Sequence, residues 1–193
     1  MENKDKKFGA KQIAITAMLL AVCLISQIFK NLSVFITGPI INACIVLAVL
    51  IVNLPCALIL SVITPVTAFI ITASPVMKAV PGIIPLIMLG NASLAVAVHF
   101  LMKKDMLAEN KAIPGIKNWI MGLISSLIKG IFMGITISLW LLPTFIPEQS
   151  PMRAKLGVFQ TTFSLYQFLT AFIGFVYVFL IWNVLKKALS REM

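Results

Sequence analysis

Acidic residues are scarce in this chain, which has 6 of them against 16 lysines and arginines and a single histidine. The long apolar stretches contain no aspartate or glutamate at all. Those stretches therefore offer no carboxylate pair and no nucleophile with an adjacent base, which makes a membrane enzyme the least favoured class. The sequence also lacks a glycine-rich phosphate loop, so we expect any ATP hydrolysis to be performed by partner proteins.

Cysteine is also rare, and Cys23, Cys44 and Cys56 are each isolated within an apolar run. Their spacing is not that of a paired metal-binding motif, and no carboxylate or histidine lies close enough in sequence to complete a site. We interpret the three cysteines as small buried hydrophobic residues and expect neither a metal nor a cofactor.

Hydrophobic residues are abundant and make up 60% of the 193 residues, whereas only 11% are charged. They fall into six stretches of about 18–25 residues, and a helix of that length crosses a hydrocarbon core of about 30 Å. The sequence predicts an all-α integral membrane protein, a single bundle of six transmembrane helices. The predicted spans are residues 11–29, 36–53, 55–72, 81–102, 118–142 and 158–185, with Pro39 and Pro55 marking helix starts.

The basic residues cluster at alternate ends of these spans. With both termini in the cytoplasm, eleven lysines and arginines lie inside and four outside, as the positive-inside rule requires. We therefore expect a multi-pass protein of the cell membrane with a retained first helix. The net charge of +10 then reflects the orientation of the helices in the membrane rather than nucleic-acid binding.

Small residues recur at helical spacing along the first predicted helix, where Ala10 and Ala14 form one pair and Ala17 and Ala21 another. Such pairs form grooves in which a second helix can approach closely. The pattern is equally compatible with packing inside the bundle and with a docking surface for another subunit.

Lys129 lies in the middle of the apolar run that forms the predicted fifth helix. At about 16–20 Å from either helix end, its ammonium group is too deep to reach the membrane surface. The spans hold no carboxylate to pair with it. The lysine must therefore bond carbonyl groups, lose its proton or bind an anion, so that a structural role and a ligand-binding role both remain open.

Several other polar residues lie within the predicted spans and could line a binding pocket. Asn91 follows a glycine near the middle of helix 4, and Asn42 lies in helix 2; each could bind a ligand or form an interhelical hydrogen bond. Gln160, Ser164 and Gln167 recur at helical spacing near the outer end of helix 6, which predicts a shared face. Trp140 and Tyr166 could stack on a ligand or anchor the protein at the membrane interface.

The sequence resembles the substrate-binding S components of energy-coupling factor (ECF) vitamin transporters, which are small bacterial membrane proteins with six helices and cytoplasmic termini. Ala17-x-x-x-Ala21 looks like the alanine motif with which S components dock on the coupling subunit, with Ala10 and Ala14 as an alternative register. Leu127-Ile128-Lys129 followed by Phe132 is similar to the lysine-bearing fifth helix of some members.

The resemblance implies a protein that captures a micronutrient from the outer side of the membrane. Its partners would be a transmembrane coupling subunit and two ATPase subunits, and the loop Lys30–Thr37 would form part of a lid. The absence of an acid near Lys129 favours a neutral or anionic substrate. The rival readings are a self-sufficient carrier or channel and a structural membrane subunit that binds no small molecule.

Overall fold

The protein is a bundle of helices in the computed structural model, which describes residues 9–29, 34–108 and 114–190. Six of its helices are long and apolar enough to cross a membrane, which confirms the predicted all-α, six-span architecture. The spans, numbered here from first to sixth, are Ala10–Ile28, Val34–Val52, Leu54–Thr72, Ile83–Leu101, Ile116–Phe145 and Arg153–Lys187. Two short helices, Pro75–Ala79 and Lys103–Ala108, lie in connections between them.

The second span is the centre of the bundle. In its most apolar stretch 61% of the residues are buried, against 22% in the first span. Ile45, Val46 and Val49 have no exposed surface and pack in the main core cluster with Phe175 of the sixth span. A helix that is apolar on all sides can be surrounded by other helices, and this is why the most hydrophobic span occupies the middle.

The third span begins as the sequence predicts. The Asn53 side chain accepts a hydrogen bond from the backbone N–H of Cys56 at 2.9 Å, and Pro55 follows in the first turn. This cap satisfies a backbone donor that has no partner inside the helix. Pro39, by contrast, does not mark a helix start, because it lies inside the helix Val34–Leu47.

Three spans depart from regular α-helical geometry. The second continues as a π-helix over Ala48–Val52, and the fifth does so over Gly134–Leu141. The sixth is interrupted at Ser164, whose φ of -121° and ψ of -83° separate the helices Leu156–Phe163 and Leu165–Ser190. Each irregularity turns the side chains that follow it onto a different face from the one that a continuous α-helix would give them.

Candidate functional site

A cavity of about 340 Å³ lies within the bundle, and all six spans contribute to its lining. This volume is within the range of small-molecule binding sites. Most of the lining is apolar and includes Ile41, Pro65, Ile87, Phe159 and Phe163. The polar side chains that line it are Gln27, Thr37, Asn42, Thr64, Ser74, Asn91, Lys129, Thr162 and Gln167.

The cavity occupies one half of the bundle. The first span contributes near its end through Gln27, the second from its beginning at Val34, and the third through residues in its second half. The sixth span contributes Val158 to Gln167, near its beginning. The end of the first span, the beginning of the second, and the connections between spans three and four and between spans five and six therefore all lie at the cavity's end of the bundle.

Lys129 of the fifth span is bound by two asparagines from neighbouring spans. Its Nζ donates to Oδ1 of Asn42 at 2.6 Å and to Oδ1 of Asn91 at 2.7 Å. The exposed fractions of the three residues are 2% for Lys129, 2% for Asn42 and 3% for Asn91. We refer to these three residues as the lysine–asparagine cluster. It ties the second, fourth and fifth spans together at one point.

The oxygens that bind Lys129 are side-chain amides rather than backbone carbonyls freed by a broken helix. An ammonium group has three N–H donors, and the described contacts use two of them. Amide oxygens accept hydrogen bonds from these donors but carry no negative charge, so the two asparagines supply no counter-ion to Lys129. The cluster can therefore bind a further acceptor that reaches it through the cavity, and an anion most strongly.

Glycines allow the helices around this cluster to approach closely. A Cβ atom on Gly90, beside Asn91, would lie 2.5 Å from Met133 Cγ, and one on Gly130, beside Lys129, would lie 2.7 Å from Phe168 Cβ. On the sixth span, a Cβ on Gly174 would lie 2.9 Å from Asn42 Cβ and 3.0 Å from a backbone oxygen of the second span. Larger residues at these positions would push apart the helices that carry the cluster.

The glutamines of the sixth span do not share a site. Gln167 lines the cavity, and its Nε2 donates to Thr162 O at 3.4 Å. Gln160 lies in a separate groove, where its side-chain Nε2 donates to Ser138 O at 2.9 Å and its backbone carbonyl accepts from Ser138 Oγ at 2.8 Å. The interruption of the helix at Ser164 separates the faces that a regular helix would have aligned. In this structure Gln160 connects the fifth and sixth spans.

The two aromatic residues proposed as stacking walls are not part of the cavity lining. Trp140 is 58% exposed on the outside of the bundle. The ring of Tyr166 packs against Phe35, with centroids 4.9 Å apart and an angle of 57° between the ring planes. Phe159 and Phe163, one helical turn apart on the sixth span, are instead the aromatic residues that line the cavity.

The four alanines singled out in the first span, Ala10, Ala14, Ala17 and Ala21, are all exposed. They lie on the surface of the bundle rather than in its core. Ala17 borders a shallow apolar groove that Leu20, Ile59 and Leu60 also line. This face of the protein consists of small side chains interspersed with larger exposed ones such as Met18 and Val22.

Of the loop predicted to form part of a lid, residues 30–33 lie outside the described residues. The rest belongs to the second span, where Val34 and Thr37 line the cavity. The Thr37 hydroxyl donates to Ser26 O at 3.2 Å and so joins the first and second spans.

Sequence reasoning missed Gln27, Thr64, Ser74 and Thr162 as lining residues, and it placed Thr37 in a lid rather than in the cavity wall. Gln27 carries the clearest signal, since it is a polar side chain near the end of an apolar helix and is completely buried. Its Nε2 donates to Thr64 O at 3.0 Å. Threonine and serine give little signal, because their hydroxyls can bond the carbonyl one turn earlier in the same helix, as Thr64 does to Leu60 O at 2.8 Å.

Within residues 9–29, 34–108 and 114–190, no three histidine, cysteine or acidic side chains are grouped so that they could hold a metal ion. Cys23, Cys44 and Cys56 are free and buried. Compared with family models, with curated proteins and with solved structures, the chain gives no match. Its function is therefore inferred from the cavity and the side chains around it.

Proposed function

We propose that this protein is the substrate-binding component of an ECF-type importer, which captures a small water-soluble micronutrient from the outer side of the cell membrane. The observation that carries the proposal is the cavity that all six spans line, with an uncompensated buried lysine in its wall. A bundle held together only for structural reasons has no need to keep a cationic group beside an open volume, because burying a charge is costly.

The chemistry of the cavity favours a neutral or anionic substrate. Lys129 supplies a positive charge, and the described spans contain no carboxylate that could bind a cationic ring. The apolar walls suit a flat or partly hydrophobic molecule, while Thr162 and Gln167 add polar groups from the sixth span. A small carboxylate-bearing vitamin or vitamin precursor fits this combination.

The exposed alanines of the first span support the proposed partner. Ala17 and Ala21 are exposed, and their small side chains leave room for a helix of another protein to approach closely. In the proposed complex this face docks on the transmembrane coupling subunit, and two ATPase subunits supply the energy. The protein itself supplies specificity and performs no chemical reaction.

The proposal is tested by purifying the tagged full-length protein from its native membranes in mild detergent and identifying co-purifying proteins by mass spectrometry. Untagged membranes treated in the same way are the control. Enrichment of a coupling subunit and ATPase subunits is the expected result. If they are reproducibly absent, and uptake by cells depends on an ion gradient instead of ATP, the protein is a self-sufficient carrier.

A further inference from the structure

Gln27 has an unusual combination of burial and incomplete hydrogen bonding. The side chain has no exposed surface, and its Nε2 donates to Thr64 O at 3.0 Å. Its Oε1 is also buried, yet it accepts no hydrogen bond from any described residue. A buried amide oxygen without a donor is costly, since leaving such a group unsatisfied destabilises a protein by about 1–3 kcal/mol.

The orientation of this amide is fixed by its surroundings. Thr64 O is a carbonyl and can only accept, so the Gln27 nitrogen must face it and the oxygen must face elsewhere. Gln27 and Thr64 both line the cavity. The unsatisfied oxygen therefore belongs to a residue that lines the proposed binding site, and no described residue donates a hydrogen bond to it.

We infer that Gln27 is a specificity-determining residue whose Oε1 accepts a hydrogen bond from an N–H or O–H group of the substrate, while Lys129 binds an acceptor elsewhere on the same molecule. This inference rests on the proposed function and narrows its substrate class. The substrate carries an anionic or carbonyl oxygen and a separate hydrogen-bond donor, joined by an apolar body that packs against the cavity walls.

Three related compounds test the two ends of the site separately. Indole-5-carboxylate has both a carboxylate and an N–H donor, 1-methylindole-5-carboxylate lacks the donor, and the methyl ester of indole-5-carboxylate lacks the charge. Binding of each to the purified full-length protein is measured by thermal shift and by ligand-observed NMR at millimolar concentration. We expect the first compound to bind roughly tenfold more tightly than either of the others, because a site built to pair a polar group discriminates against analogues without it.

Variants then assign each preference to a residue. In Gln27→Met the preference for the N–H over the N-methyl acid should disappear while the preference for the acid over the ester remains, which also shows that the site is still folded. In Lys129→Met the preference for the acid over the ester should disappear while the preference for the N–H over the N-methyl acid remains. If Gln27→Met fails to fold, Gln27→Asn, which withdraws the oxygen by one methylene, should reduce the same N–H preference.

The inference is overturned if the wild-type protein binds the N–H and N-methyl acids equally, or if the Gln27 variants keep the preference. It is also overturned if none of the three compounds binds, since the cavity of about 340 Å³ has room for a molecule of this size. These outcomes would overturn the role of Gln27 but not the proposed function, which is contradicted only if the protein does not co-purify with coupling and ATPase subunits.

Discussion

Lys129 is held by two neutral acceptors, and this choice of partners determines what the residue can do. A carboxylate partner would satisfy the ammonium group and cancel its charge. The amide oxygens of Asn42 and Asn91, at 2.6 and 2.7 Å, satisfy two N–H groups and leave the charge in place. The arrangement keeps the protein folded around a buried cation and keeps that cation attractive to an anion.

The hydrogen bonds of this cluster predict non-additive effects on stability. Asn91→Ala should lower the melting temperature of the purified protein, because it leaves a buried ammonium group with one acceptor fewer. The same substitution in a Lys129→Met background should cost less, because the cation is gone. We expect a coupling free energy of about 1–3 kcal/mol between Asn91 and Lys129 from the double-mutant cycle, measured by thermal unfolding in detergent.

Asn183→Ala is the matched control for this cycle. Asn183 lies in the sixth span and is partly buried, and it is neither a partner of Lys129 nor a lining residue of the cavity. Its effect should therefore simply add to that of Lys129→Met. Equal effects of Asn91→Ala in the two backgrounds would show that the interaction between Asn91 and Lys129 contributes nothing to stability.

At the scale of helices, the close contact between the second and sixth spans depends on Gly174. Gly174→Ala should lower the melting temperature and weaken substrate binding, because its new Cβ would lie 3.0 Å from Pro39 O and 3.1 Å from Ala43 N, backbone atoms that cannot rotate away. Overpacking of this kind costs about 1–3 kcal/mol. Gly157→Ala, in the same span, meets nothing within 4 Å and should leave both properties unchanged. A stable Gly174→Ala protein would contradict this account of the contact.

The exposed face of the first span predicts a separation of uptake from binding. Ala17→Trp and Ala21→Trp should abolish uptake by whole cells, because a bulky side chain would block the docking of the proposed coupling subunit. Substrate binding by the purified protein should persist, since both alanines are exposed and lie outside the cavity lining.

Val184→Trp provides the control for the first span, because Val184 is 71% exposed on the sixth span and is far in sequence from the alanine face. It should support normal uptake. If Ala17→Trp and Ala21→Trp also support normal uptake, the docking face has been assigned to the wrong helix.

The six-helix architecture could be predicted from the sequence more completely than the arrangement of side chains around the cavity. Long apolar runs determine where helices cross a membrane, so the six spans are recognisable from composition alone. Lys129 was also recognisable, because a lone cation in such a run needs an explanation. The sequence also indicates Asn42 and Asn91 as candidate site residues, but their meeting at Lys129 depends on which spans are neighbours and how each span is rotated.

Helix irregularities account for most of what sequence reasoning misplaced. Gln160 and Gln167 share a face only if the sixth span is a continuous helix, and the interruption at Ser164 separates them. Trp140 lies within the π-helical stretch of the fifth span, and its side chain is on the outside of the bundle. Gln27 was overlooked because a single glutamine near a helix end is not unusual until its burial is known.

The most direct test of the central claim is to identify the small molecule that the protein retains. Wild-type protein and Lys129→Gln are purified in parallel from the native membranes, with Ile135→Leu as a control at a position exposed on the outside of the bundle. Metabolites are then extracted and compared by mass spectrometry. The account predicts a small neutral or anionic compound that is enriched with the wild-type and Ile135→Leu proteins and lost with Lys129→Gln. A set of bound compounds that is identical in all three proteins would contradict it.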